Sequence, residues 1–163
     1  MDALTIIGLL FAIAFSSLIL TYFMDKVNIE FQGDSSIPQM SKDILARGRT
    51  QLPGLFDWWF ALFLVALPLA SAALAYFNNI HPVMFWISMP LIMVAIFLGA
   101  AYSEVWQAAM QEPELSVYAS ELPIQNLVLT NYGKYSLFIV LVVALGTFVK
   151  LRGGYQRDVY GGF

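Results

Sequence analysis

The sequence predicts an all-α integral membrane protein with four transmembrane helices, a central helical hairpin and an extended, interfacial first connection. Two apolar runs, Leu55–Phe77 and Val83–Ala101, are separated only by Asn78-Asn79-Ile80-His81-Pro82, the pattern of a hairpin that crosses a bilayer twice. Hydrophobic residues make up 60% of the 163-residue chain and charged residues 12%, where soluble domains carry about 25% charged residues. A mean hydropathy of +0.72 points the same way.

The first span is expected at residues 3–24. Met1-Asp2 opens with an acid, the apolar run is long, and no small-x-small cleavage site precedes Asp25, so the segment reads as a retained helix rather than a signal peptide. About 20 apolar residues suffice to cross the hydrocarbon layer. Gly8, Ala12 and Ser16 recur at four-residue spacing and mark a thin face for close packing against protein. Ser17 and Thr21 can return their hydroxyls to the backbone one turn earlier.

Residues 25–54 gain charge, glycine and proline and read as a polar connection. Val27, Ile29 and Phe31 alternate with Asn28, Glu30 and Gln32, a period-two pattern that fits a short extended strand or an ordinary loop. An interfacial helix over 41–47 would start at Ser41 as N-cap, dip Ile44 and Leu45 toward lipid, and offer Lys42, Arg47 and Arg49 to headgroups or an acidic partner surface.

The second span, 55–77, follows Pro53-Gly54. Trp58 and Trp59 are interfacial anchors. Asp57, one turn inside the helix, suits the positive end of its dipole, with a proton-relay or ion-coordinating role as the alternative. Pro68 bends the span and frees the Leu64 carbonyl, and Ala66 and Ala70 thin one face. The third span, 83–103, has Trp86 as an anchor and Ala95, Gly99 and Ser103 as its thin face. Facing small residues across a short turn predict intimate antiparallel packing of spans two and three. His81, before Pro82, reads as a wet turn residue.

Residues 104–132 form an acidic connection without Lys or Arg. A helical continuation to about Met110, a stop before Glu112-Pro113, and an extended break at Leu122–Asn126 are expected within it. The connection is either a docking surface or a solvated face. The fourth span, 133–151, is flanked by the snorkelling cations Lys134, Lys150 and Arg152. A Gly/Tyr-rich tail, 152–163, suits either disorder or an adaptable contact arm. Lys26, Lys42, Arg47, Arg49 and Lys134 on one side outnumber Lys150, Arg152 and Arg157 on the other, which turns the two long connections toward the cytoplasm.

A net charge of −3 argues against nucleic-acid binding, which needs clustered Lys and Arg. With no cysteine and one histidine, the usual Cys- and His-based metal, haem and iron–sulfur ligand sets are missing. No phosphate-cradling glycine loop, nucleophile elbow or midplane charge stands out. The chain therefore reads as non-enzymatic, without cofactor or small-molecule substrate. Its expected partners are the bilayer, itself, and other membrane or capsid proteins.

The run Leu67-Pro68-Leu69-Ala70-Ser71, the segment Ala75–Pro82, Leu122–Asn126, Asn131–Tyr135 and Lys150-Leu151-Arg152 together resemble small membrane proteins encoded by tailless, membrane-containing bacteriophages. That resemblance spans roughly the C-terminal two-thirds and consists of structural punctuation. It implies a structural component of a virion membrane beneath an icosahedral capsid, located there or in the host inner membrane. An accessory subunit of a cellular membrane complex and a holin-like permeabilising protein are the competing expectations.

Overall fold

The computed structural model describes residues 2–77 and 82–160, with side chains for all of these except 75–77, 82–89, 147 and 149–160. The described residues form six helices: α1 (Ala3–Gly33), α2 (Gln39–Phe77), α3 (Pro82–Gln111), α4 (Pro113–Ala119), α5 (Pro123–Thr130) and α6 (Tyr132–Tyr160). Three of them are long and apolar enough to cross a membrane: α1, α2 over Gln39–Leu74, and α3 over Pro90–Gln111. A fourth crossing results if α5 and the part of α6 up to Gly146, which meet at 85°, count as one broken span.

Asp2 starts α1 by accepting the Thr5 backbone N–H at 3.2 Å and the Thr5 hydroxyl. The helix then continues nine residues past the expected boundary at Met24, to Gly33. The alternation at Val27, Ile29 and Phe31 therefore lies on a helix, and the extended first connection is overturned. Propagating a helix adds one hydrogen bond per residue fixed, and no proline or glycine interrupts residues 25–32. The turn is confined to residues 34–38, where the Asp34 carboxylate accepts the Ser36 N–H at 2.8 Å and its hydroxyl at 2.7 Å.

Beyond Pro38 the chain becomes helical again and stays so to Phe77. The separate 41–47 helix is thus the beginning of the second span, which runs through Pro53 and Pro68. Lys42 is buried rather than offered to headgroups: its ammonium donates to the Gln32 carbonyl at 3.0 Å, and the Gln32 amide returns a bond to the Lys42 carbonyl at 3.2 Å. A cation at the C-terminal end of α1 also meets the negative pole of that helix.

The acidic connection is mostly helical. α3 continues to Gln111, α4 occupies Pro113–Ala119, and Leu122–Asn126 becomes the entry to α5 instead of an extended break. Proline at the first helical position of both α4 and α5 explains this, since its missing N–H and fixed φ suit a helix start. The helical backbone of α6 includes residues 152–160, so that much of the Gly/Tyr segment is not an unstructured arm. Residues 161–163, like His81, Asn78, Asn79 and Ile80, lie outside the described residues.

The long helices form a ring in the order α1, α2, α6, α3, so that α2 and α3 face each other across a diagonal. Among the described residues α2 and α3 are not a packed pair, which corrects the expected hairpin contact. The small residues do permit close approach, but toward α6. A β-carbon on Gly99 would overlap the Ser136 side chain, with Ser136 Cβ at 2.5 Å, and one on Gly146 would lie 2.8 Å from Ala72 Cα. A core of Ile6, Ile7, Leu10, Phe60, Trp106 and Tyr132 fills the centre, and the Tyr132 hydroxyl donates to the Ile7 carbonyl at 2.6 Å.

Outward, the bundle presents large apolar side chains. Phe97 is 75% exposed and Met93 67%, with Val65, Leu69, Leu141 and Leu145 also exposed. Scattered single exposures need no explanation, but a belt of this extent is a surface suited to an apolar surrounding.

Gly146→Ala and Gly99→Ala should each lower thermal stability, by about 1–3 kcal/mol, because the added methyl meets backbone or a side-chain stem that cannot swing away. Gly54→Ala, whose β-carbon would meet nothing within 4 Å, is the matched control. Melting followed by circular dichroism in detergent micelles measures the difference; equal midpoints for all three would contradict the close helix contacts.

Candidate functional site

The end of the bundle where α1 leaves, α2 begins and α4 and α5 sit carries a connected polar network. Arg49, in the first part of α2, is its centre. Its Nε donates to Asp25 Oδ1 at 2.6 Å, and Nη1 and Nη2 donate to Glu121 Oε2 and Oε1 at 2.8 and 2.7 Å. This is a fork on one carboxylate plus a single bond to another, the geometry that the planar guanidinium is built for. The Tyr118 hydroxyl donates to Asp25 Oδ2 at 2.7 Å, and the Arg49 guanidinium sits 5.8 Å from the Tyr118 ring centre. Tyr22 meets Tyr118 edge-on at 5.6 Å and donates to Glu114 at 3.1 Å.

The electrostatics follow from these contacts. The Asp25 carboxylate is held between the Arg49 guanidinium and the Tyr118 hydroxyl. Burial first and the bond to Asp25 second push the Tyr118 hydroxyl up to about 12.

A second layer lies deeper. Asp57 is buried, and its carboxylate accepts the backbone N–H groups of Ile124 at 2.9 Å and Gln125 at 2.8 Å. It caps α5 and not its own helix, because α2 begins at Gln39 and leaves Asp57 in a helix interior. Leu122, the residue before α5, has no side-chain acceptor, and Pro123 no N–H, so the donors needing a partner are those of Ile124 and Gln125. At the other end of α5 the Thr130 carbonyl accepts from Ser103 at 2.8 Å and from Gln107 at 3.1 Å. Trp106 Nε1 donates to Asn126 at 3.1 Å, and the Ser17 hydroxyl lies 2.6 Å from Gln125 Oε1.

Of the residues singled out for packing, Ala95, Gly99 and Ser103 are buried together on α3. Gly8 is half-buried, and a β-carbon there would be 3.9 Å from the Tyr102 hydroxyl. Ala12, Ser16, Ala66 and Ala70 are exposed. Ala12 and Ser16 instead line an open groove of about 490 Å³ between α1 and α2, with Phe56, Trp59 and Phe63 opposite. Trp58 and Trp59 are exposed, as is Lys134, which bonds to Asn131. The side chains of Trp86, Lys150 and Arg152 lie outside the described residues. Among the described residues no group of His, Asp or Glu gathers in a metal-binding arrangement.

Sequence reasoning missed the Asp25–Arg49–Glu121 cluster. A usable signal was present: no Lys or Arg lies between Arg49 and Lys134, so any pairing of the acidic third connection within the chain had to draw on few cations.

Compared with known proteins, the chain finds no matching family model, curated protein or solved structure. The polar end is therefore characterised by its own chemistry: ion pairs and helix caps that tie α1 and α2 to α5 and the turn before it.

The Tyr118 contact sets an alkaline limit on stability. Its contribution is complete below 10.0 and is lost as pH rises through about 12. Melting temperature against pH should show this alkaline decline, reduced in Tyr118→Phe. Arg49→Gln should cost about 2 kcal/mol at neutral pH, between the values for exposed and buried pairs; an unchanged midpoint would mean that the fork carries no stability.

Proposed function

We propose that the chain is a non-catalytic structural protein that crosses a membrane four times, with α5 and α6 making the bent fourth crossing and both the 34–38 turn and α4 on the cytoplasmic side. The observation that carries this reading is the division of the surface. Large apolar side chains face outward along the bundle, from Leu62 and Val65 to Phe97 and Leu145, while charged groups collect at one end and pair with each other. In hydrocarbon every backbone polar group has to be satisfied internally, and the capping of α5 from α2 and α3 meets that demand.

The polar side chains with the most contacts act on protein. Arg49 joins α1 to the turn after α4, Asp57 caps a helix start and Ser103 a helix end. Such a construction serves rigidity and supports a scaffold role. The resemblance to membrane proteins of tailless, membrane-containing bacteriophages supports a place in a virion membrane, where the exposed Glu112 and Glu114 at the start of α4 and the groove between α1 and α2 would contact capsid or further membrane proteins.

Since the chain has no native cysteine, single cysteines report topology cleanly. Ser36→Cys and Ser120→Cys in the full chain should react with a membrane-impermeant maleimide from the same side of sealed vesicles, and Asp2→Cys from the other. Labelling of all three from one side would overturn the four-crossing reading. Mass spectrometry of purified particles should find the chain in many copies; its recovery only with cofactor-bearing cellular subunits, or a collapse of membrane potential on expression alone, would overturn the virion role.

A further inference from the structure

We propose that the groove between α2 and α6 is a binding site for one anionic phospholipid, whose acyl chain lies along the groove and whose phosphate is held by the Lys134 ammonium. The inference rests on the membrane reading above and adds a specific ligand to it. The groove has a volume of about 590 Å³, with Leu64 and Val65 of α2 on one wall and Tyr135 and Phe138 of α6 on the other. Asn131 and Lys134 lie at one end. That volume falls inside the range of roughly 300–1,000 Å³ over which small-ligand sites occur.

The polarity of the groove matches a phospholipid laid along the bundle. Lys134 stands in the first turn of α6, the end of that helix nearer the Arg49 cluster. Phe138 lies about 6 Å further along the helix at 1.5 Å per residue, and Leu64 and Val65 about 10–12 Å past Asp57 on α2. Charge is therefore outermost and the apolar walls run inward from it, as a headgroup and an acyl chain are arranged in a leaflet.

Two observations make the headgroup anionic. Lys134 is oriented: its Nζ donates to Asn131 Oδ1 at 3.1 Å, and the Asn131 amide is itself anchored on the Leu127 carbonyl at 3.3 Å. Asn131 takes one of three ammonium hydrogens, and phosphate oxygens suit the others. Lys134 is also the only cation along this stretch of sequence, as no Lys or Arg precedes it back to Arg49, which two carboxylates already engage. The groove between α1 and α2 has no charged residue in its lining, and so serves as an internal comparison: lipid there would show no headgroup preference.

Native mass spectrometry of the full chain in a non-ionic detergent, offered equal phosphatidylglycerol and phosphatidylcholine with matched acyl chains, tests the site. The wild type should retain one phosphatidylglycerol in preference. Lys134→Gln should reduce that preference by roughly tenfold, the scale of one charge-assisted contact, and Lys26→Gln, which neutralises an exposed cation on α1, should leave it intact. Val65→Trp, at an exposed position, fills the groove and should lower retention of the preferred lipid while circular dichroism stays unchanged. Equal retention of the two lipids by the wild type, or an unaltered preference in Lys134→Gln, would overturn the site. If vesicle labelling still shows four crossings in that case, the membrane reading stands without it; labelling from one side alone would overturn both.

Discussion

A helix that ends inside an apolar body leaves backbone donors at its start and acceptors at its finish, and water is not there to take them. α5 is such a helix, and its two capped ends are the constraint on which the polar end of this protein depends. Asp57 closes its start from α2, and Ser103 with Gln107 closes its finish from α3. Because α2 and α3 stand on opposite corners of the ring, the short helix spans the diagonal and ties together two long helices that have no packed interface of their own among the described residues.

The Arg49 cluster reinforces the same closure from outside. A guanidinium shared between Asp25 and Glu121 joins the end of α1, the start of α2 and the turn after α4, with side chains only 17–28% exposed. At that burial the attraction is screened less than on an open surface, while enough solvent remains to limit the cost of removing the charges from water. Ion pair and cap thus divide the work: Arg49 holds the connections at the boundary, and Asp57 satisfies backbone groups where water is excluded. Tyr118 belongs to the outer cluster, since its hydroxyl donates to the Asp25 carboxylate that Arg49 engages.

The apolar runs and the all-helical character were legible in the sequence, because run length and composition respond to the surrounding medium residue by residue. Helix ends were legible only where proline acts locally, as at Glu112-Pro113, whereas the end of α1 falls nine residues beyond the expected boundary. The alternation at Val27–Phe31 misled because three repeats of a period-two pattern are weaker than the cooperative gain of extending a helix already formed. Asp57 was placed on its own helix end because capping rules are local, whereas the donors it serves belong to α5, distant in sequence and joined to it only by the fold. Arg49 reads as a contact to headgroups or to an acidic partner surface for the same reason: a cation beside an apolar span looks alike whether its anions belong to lipid, a partner or its own chain.

The small residues show most clearly what spacing does and does not encode. A four-residue repeat of Gly, Ala and Ser states that something can come close, and leaves the neighbour unspecified. Gly99 uses that permission toward α6, where Ser136 fills the space a β-carbon would need. Ala12 and Ser16 do not use it within the chain and remain as the floor of an open groove. The decisive difference is on the other side of each contact. α6 offers Gly133, Ser136 and Gly146, so both α3 and α2 can approach its backbone, and the hairpin that looked like the natural pair separates to flank it. Helix α6 is the hub of the bundle, a role set by where its own small residues fall and not by the hydrophobic strength of its span.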